Sequence, residues 1–280
     1  MSTSDDDIQP STPLTRMLLL IASFLVLVVF VNLFFLTEET DQYFSWTVNP
    51  PITAAFMGAG YGASVILEFM SSRKRTWAES RAGVYGVAAF SYLILLATVM
   101  HRDRFHFNAD DWYTSVGTWA WLAIYASVPL MLSVAAFDQW QLGGGDPVST
   151  RPISRPLRLL ICLHGLLFVQ IGALLFIAPE QAAVVWPWEL TALTGRAMGA
   201  WLVGIGVTIV QLARDGDWEW TKPASLSYIC FVILIVIAVA RYNGSIAWDE
   251  IQIWLFWLLW LIPLLEMGYG WQTSKRIEGS

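Results

Sequence analysis

LTALTGRAMGAW, residues Leu190–Trp201, restates an earlier phrase, PPITAAFMGAGY, residues Pro50–Tyr61. With Thr53 set on Thr194, Met57 falls on Met198, Gly58 on Gly199 and Ala59 on Ala200, about 141 residues apart. Tryptophans precede both: Trp46 before the first, Trp186 and Trp188 before the second. Each phrase opens a long apolar run. Small residues recur at four-residue spacing (Ala54, Gly58 and Gly62; Gly195 and Gly199), which lets helix backbones approach closely in lipid. Only the second copy carries a charge: Arg196 stands where the first copy has Ala55.

The composition places these runs in a membrane. Of 280 residues, 56% are hydrophobic and only 14% charged, against about 25% charged in soluble domains. Charge at the bilayer centre is costly, and indole rings favour the membrane–water interface, where many of the sixteen tryptophans can sit. A net charge of −6 lacks the basic face that nucleic acid requires. Cys162 and Cys230 lie in apolar runs without disulfide or zinc spacing and read as small packing residues.

A hydrocarbon core takes about 17 to 25 residues per helix. Eight runs qualify: 17–36, 52–71, 82–100, 117–137, 157–178, 190–213, 224–240 and 251–269. Pro129 and Pro263 fall inside the fourth and eighth, where kinks are expected. Cytoplasmic loops carry the excess of Lys and Arg. Here Arg16, Arg73, Lys74, Arg75, Arg81, Arg151, Arg155, Arg158, Arg214, Lys222, Lys275 and Arg276 share one side. Arg102, Arg104, Arg196 and Arg241 lie on the other, so both termini are read as cytoplasmic. Pro13-Leu14 matches Pro156-Leu157, Arg102 approximately matches Arg241, and Pro129 matches Pro263.

The expected fold is therefore an all-α transmembrane eight-helix bundle built from two tandem parallel four-helix repeats. Because four is even, both copies enter from the same side, related by an axis along the membrane normal. The expected layout is a disordered acidic tail (1–16), a first repeat (17–137), a cytoplasmic linker (138–156) containing GGGDP, a second repeat (157–271) and a tail (272–280). The tail does not resemble a secretory n-region and no A-x-A site follows the first run, which reads as a retained span.

Arg196 lies about 9 Å into its span from Leu190, at 1.5 Å per residue. Arginine at that depth calls for a partner. Glu180, Glu189, Asp103, Asp110, Asp111, Asp249 and Glu250 are on its side. The loop HRDRFHFNADDWY places His101, Arg102, Arg104 and His106 nearby, with Arg241, Trp46, Trp186 and Trp188 expected close. Guanidinium groups grip carboxylate or phosphate with paired hydrogen bonds. Arg196, Arg102, Arg104, Arg241 and Trp188 are the candidate ligand-binding set, opposed by the plainer reading that the arginines pair with acids or lipid headgroups.

A second polar set, Glu68, His164 and Glu266, with Asp138 at a helix end, lies towards the cytoplasmic side. Intramembrane carboxylates and histidines suggest a proton relay. The plainer reading of Glu68 is a local pair with Arg73, or snorkelling. His101, His106 and His164 lie at depths that exclude one shared haem, and the first two match no strong metal motif. No phosphate loop, nucleophile elbow, H-E-x-x-H helix or C-x-x-C pair occurs, so no catalytic, metal or cofactor residues are assigned. Trp254, Trp257 and Trp260 in WLFWLLWL read as packing residues.

The stretch WPWELTALTGRAMGAW, with HRDRFHF before it, resembles a group of bacterial eight-span membrane proteins, and the four-helix unit resembles DoxX-like four-span modules. The resemblance implies the architecture and a bacterial inner or cytoplasmic membrane. It implies no activity or catalytic residues. The leading functional expectation is binding or translocation of a small anionic or amphipathic ligand, or a lipid, at an outer-face cavity. The alternative is a non-catalytic subunit or scaffold in a larger complex, with a membrane-protein partner or further copies of itself; a membrane-embedded enzyme is the third.

Overall fold

The computed structural model describes residues 8–274. The acidic run of the N-terminal tail (Asp5, Asp6 and Asp7), and Lys275 and Arg276 of the charge count, lie outside the described residues. Eight helices are long and apolar enough to cross a membrane: α1 (Pro13–Phe35), α2 (Pro51–Ser72), α3 (Arg81–Met100), α4 (Trp112–Leu142), α5 (Arg155–Ile177), α6 (Ala192–Asp215), α7 (Trp218–Arg241) and α8 (Ile251–Thr273). Among the described residues there is no strand beyond isolated bridges. The chain is a multi-pass, all-helical membrane protein.

Helix starts follow local chemistry. Thr12, Asp111, Thr191 and Asp217 cap α1, α4, α6 and α7 by accepting backbone N–H bonds, and Pro13, Pro51 and Pro156 occupy first turns of α1, α2 and α5. Proline suits those positions because the first turn needs no N–H donor. Gly216 closes α6 with φ +69°, a left-handed cap that a side chain would strain.

Two helices differ most from their sequence-derived limits. α4 runs 31 residues, about 46 Å at 1.5 Å each. Asp138 is thus within the helix and exposed, and the linker begins only after Leu142. α7 begins at Trp218 and continues through Pro223. Pro129 and Pro263 likewise sit inside α4 and α8.

α2 and α6 are the most buried spans. α1 lies along α2, and α5 along α6. The third helix of each half crosses over: α3 packs on α6, and α7 packs on α2. Glycines allow these approaches. A Cβ on Gly58 would lie 2.7 Å from Phe34 N, and one on Gly199 would lie 2.5 Å from Gly172 O. In the crossed contacts, Ser227 Oγ donates to Ala63 O at 2.7 Å, while Gly86 lies against Gly204 and Thr208.

Both ends of the described chain and the linker meet at one end of the bundle, the terminal face. Gln9 N donates to Gly145 O, and Arg151 donates to Trp271 O and Ser274 Oγ, each of the latter at 2.7 Å. Two short straps are alike here. Ser11 N donates to Arg75 O and Trp77 N to Gln9 O; Ile153 N donates to Gly216 O and Trp218 N to Arg151 O. Arg81 joins α3 to α6 and the linker, bonding Asp215 Oδ1 at 2.8 Å and gripping both oxygens of Asp146 at 2.7 and 2.8 Å.

Candidate functional site: a chamber with two carboxylates

A cavity of about 150 Å³ lies between the halves, with lining residues from all eight spans. It extends from Trp201 and Phe90 to Ile153 and Trp218 at the terminal face. Its walls are mostly apolar, yet Glu68 of α2 and Glu266 of α8 line it. Glu68 is 2% exposed and Glu266 6%. Among the described lining residues there is no Lys, Arg or His.

The two carboxylates differ. Glu266 Oε1 pairs with His164 Nδ1 at 3.2 Å, joining α8 to α5, and His164 Nε2 is buried without a partner. Glu68 Oε2 is buried and unpartnered. No cation among the described residues forms an ion pair with Glu68. Arg73 is the C-cap of α2 and extends over the Phe69 ring instead. Five residues at about 100° each carry it some 140° around the helix from Glu68.

Most hydroxyls of the chamber are already donating. Thr208 bonds Gly204 O at 3.0 Å, Thr221 bonds Trp218 O at 2.9 Å, and Tyr228 bonds Trp260 O at 3.0 Å. Tyr125 and Tyr61 share a 2.7 Å hydroxyl contact. Ser64 and Ser91 remain able to donate or accept. Away from the terminal face the chamber is bounded by rings: Trp201 packs on Phe90 at 4.2 Å between centroids and lies over Gly60.

The far-face residues are arranged differently from one vestibule. Arg196 Nη1 bonds His101 Nε2 at 2.8 Å, and its Nε is buried without a partner. No carboxylate among the described residues forms an ion pair with it. Burial first, then the Arg196 charge, push the His101 pKa below its ordinary value; Asp103 opposes them and Arg104 adds to them. Arg102 is exposed, and exposed Arg104 pairs with Asp103 at 3.4 Å. Arg241 is held at α1, donating to Phe34 O and lying over the Phe34 and Tyr242 rings.

Trp188 is a buried bridge between halves. Its Nε1 donates to Thr53 Oγ1 at 2.9 Å, among Phe56, Trp186 and Phe256. His106 bonds Phe44 O and Thr47 Oγ1, tying the α3–α4 loop to the α1–α2 loop. Among the described residues no group of three metal-ligating side chains converges. None of Arg102, Arg104, Arg196 and Arg241 lines the chamber.

Glu68 and Glu266 are legible in the sequence as intramembrane carboxylates, whereas the chamber and the Arg81–Asp146–Asp215 clasp are not. Arg81 registers in sequence only as one more cytoplasmic charge; that its partners come from residues far along the chain has no local signal. No family model, curated protein or solved structure matches the chain.

Proposed function

We propose that this membrane protein binds a small amphipathic molecule in the chamber between its halves and exchanges it through the terminal face. The carrying observation is the coincidence of a cavity lined by all eight spans with two buried carboxylates. An apolar void needs no carboxylate, and insertion of an aspartate at mid-membrane costs about 3 kcal/mol. Glu68, Glu266 and His164 are the groups that hold the guest's polar end or pass a proton to it.

The two straps and the paired helix contacts support a tandem duplication with a pseudo-twofold axis along the membrane normal. The charge count supports a cytoplasmic terminal face; placement in the inner or cytoplasmic membrane of a bacterium rests on the sequence resemblance alone. On this reading the chamber is entered from the cytoplasm. A second reading rests on Arg196: a guanidinium with a buried, unpartnered Nε and no carboxylate pair among the described residues suits an anion or lipid headgroup at the far face.

Native mass spectrometry of protein extracted gently from its own membranes tests the chamber. The expected result is a retained small molecule, lost in Ser64→Trp, whose indole would fill the cavity, and kept in Arg196→Gln. Loss in Arg196→Gln alone would move the site to the far face. A bare chain carrying a stoichiometric second polypeptide would make the protein a complex subunit.

A further inference from the structure

We infer that the chamber takes its guest as a cation: a small aromatic or aliphatic ammonium held by Glu68, with Glu266 as the second acceptor. This rests on the chamber being a binding site. Thr208, Thr221, Tyr228 and Ser227 donate to carbonyl oxygens of the protein. Ser64 and Ser91 can still donate, but the unspent capacity that carries charge is acceptor, and it belongs to the carboxylates. Glu68 is almost fully buried, lines the cavity, and has an oxygen without a partner.

Charge gives the same answer. With no Lys, Arg or His among the described lining residues, an anionic guest would meet two carboxylates and no counter-charge. A neutral guest without a donor would leave Glu68 unsatisfied, and a buried polar group without a partner is penalised; a neutral donor would supply a hydrogen bond but no counter-charge. An ammonium supplies donors and charge together. The rings of Trp201, Phe90 and Trp218 around the same space add faces that attract cations.

Size limits the guest. A cavity of about 150 Å³ is enough to hold benzene, so one ring or a comparable alkyl group bearing one ammonium is the appropriate scale. His164 lies behind Glu266, engaging one of its oxygens, which leaves Glu68 as the main counter-ion.

The full chain in lipid nanodiscs, titrated calorimetrically with benzylammonium, toluene and benzoate against empty nanodiscs, tests this. Wild-type protein should bind benzylammonium at least about tenfold more tightly than toluene, and benzoate not at all; tenfold corresponds to 1.4 kcal/mol. Glu68→Gln should remove the preference while toluene still binds. If Glu68→Gln does not fold, Glu266→Gln should weaken benzylammonium alone, and the wild-type comparison needs no variant. Equal binding of toluene and benzylammonium, or preference for benzoate, overturns the cation inference while leaving the chamber a binding site. If none of the three probes binds, the chamber reading itself fails and the inference with it.

Discussion

Arg196 is the one charged residue in two similar phrases, and its partner proved to be an imidazole. His101 must accept a hydrogen bond from Arg196, which requires a neutral Nε2. Protonation would remove the acceptor and set two cations 2.8 Å apart. Because the folded pKa is depressed, the unfolded chain binds more protons below the ordinary value of about 6.5, so stability rises with pH there. Its contribution is complete above about pH 6.5 and declines as pH falls through the window below it. Thermal unfolding in detergent at pH 7.5 and 5.5 should show a loss of stability in acid that is smaller in His101→Gln, which can still accept from Arg196. Equal losses in both proteins would remove His101 as the cause. The sequence marked Arg196 as needing a partner but directed the search to acids, since neither charge nor spacing indicates that the end of α3 reaches α6.

Among the helices, local pattern and distant contact separate cleanly. The eight runs were legible because hydrocarbon tolerates only apolar residues across its thickness. The ends of α4 and α7 were not: hydropathy marks the part of a helix inside the core, while Trp140 and Gln139 continue α4 beyond it. Buried Gln139 then binds the N-terminal strap through Thr12 N and Pro10 O. Glu68 was legible as an intramembrane carboxylate, whereas its isolation followed from helix geometry that turns Arg73 away. Glycine spacing was also informative. Valine at Gly199 would drive Cβ into the Gly172 carbonyl, a backbone atom that cannot swing aside, whereas Gly117 in α4 has nothing within 4 Å. Gly199→Val should destabilise by about 1–3 kcal/mol through overpacking. Gly117→Ala should be neutral or stabilise by up to about 1 kcal/mol, because alanine is the better helix former. Melting temperatures of the two purified variants give the comparison, and similar values would mean that α5 and α6 do not make the close crossing.

At the scale of the whole molecule, the exchange of third helices decides what kind of object the chain is. The sequence suggested two consecutive units, and nothing in a hydropathy pattern says which helix packs on which. With α3 on α6 and α7 on α2, neither half contains all the partners of its own central helix. The chamber belongs to neither half, since its lining comes from every span. Arg81 reinforces the exchange by fixing the start of α3 to the end of α6 through Asp215. A cut between Pro147 and Val148 leaves Arg81 with Asp146 in the first fragment and Ser149 with Asp217 in the second. Co-expressed, fragments 1–147 and 148–280 should assemble one to one and purify together. Expressed singly, neither should give a monodisperse monomer, because the face of α2 or α6 that receives the exchanged helix would lose its packing, and in lipid that packing is a principal force between helices. Size-exclusion chromatography with light scattering distinguishes the outcomes. A folded, monomeric half would show that the exchange is dispensable and that each repeat is a separate domain; a one-to-one complex alone would mean that the chamber exists only where the halves interlock.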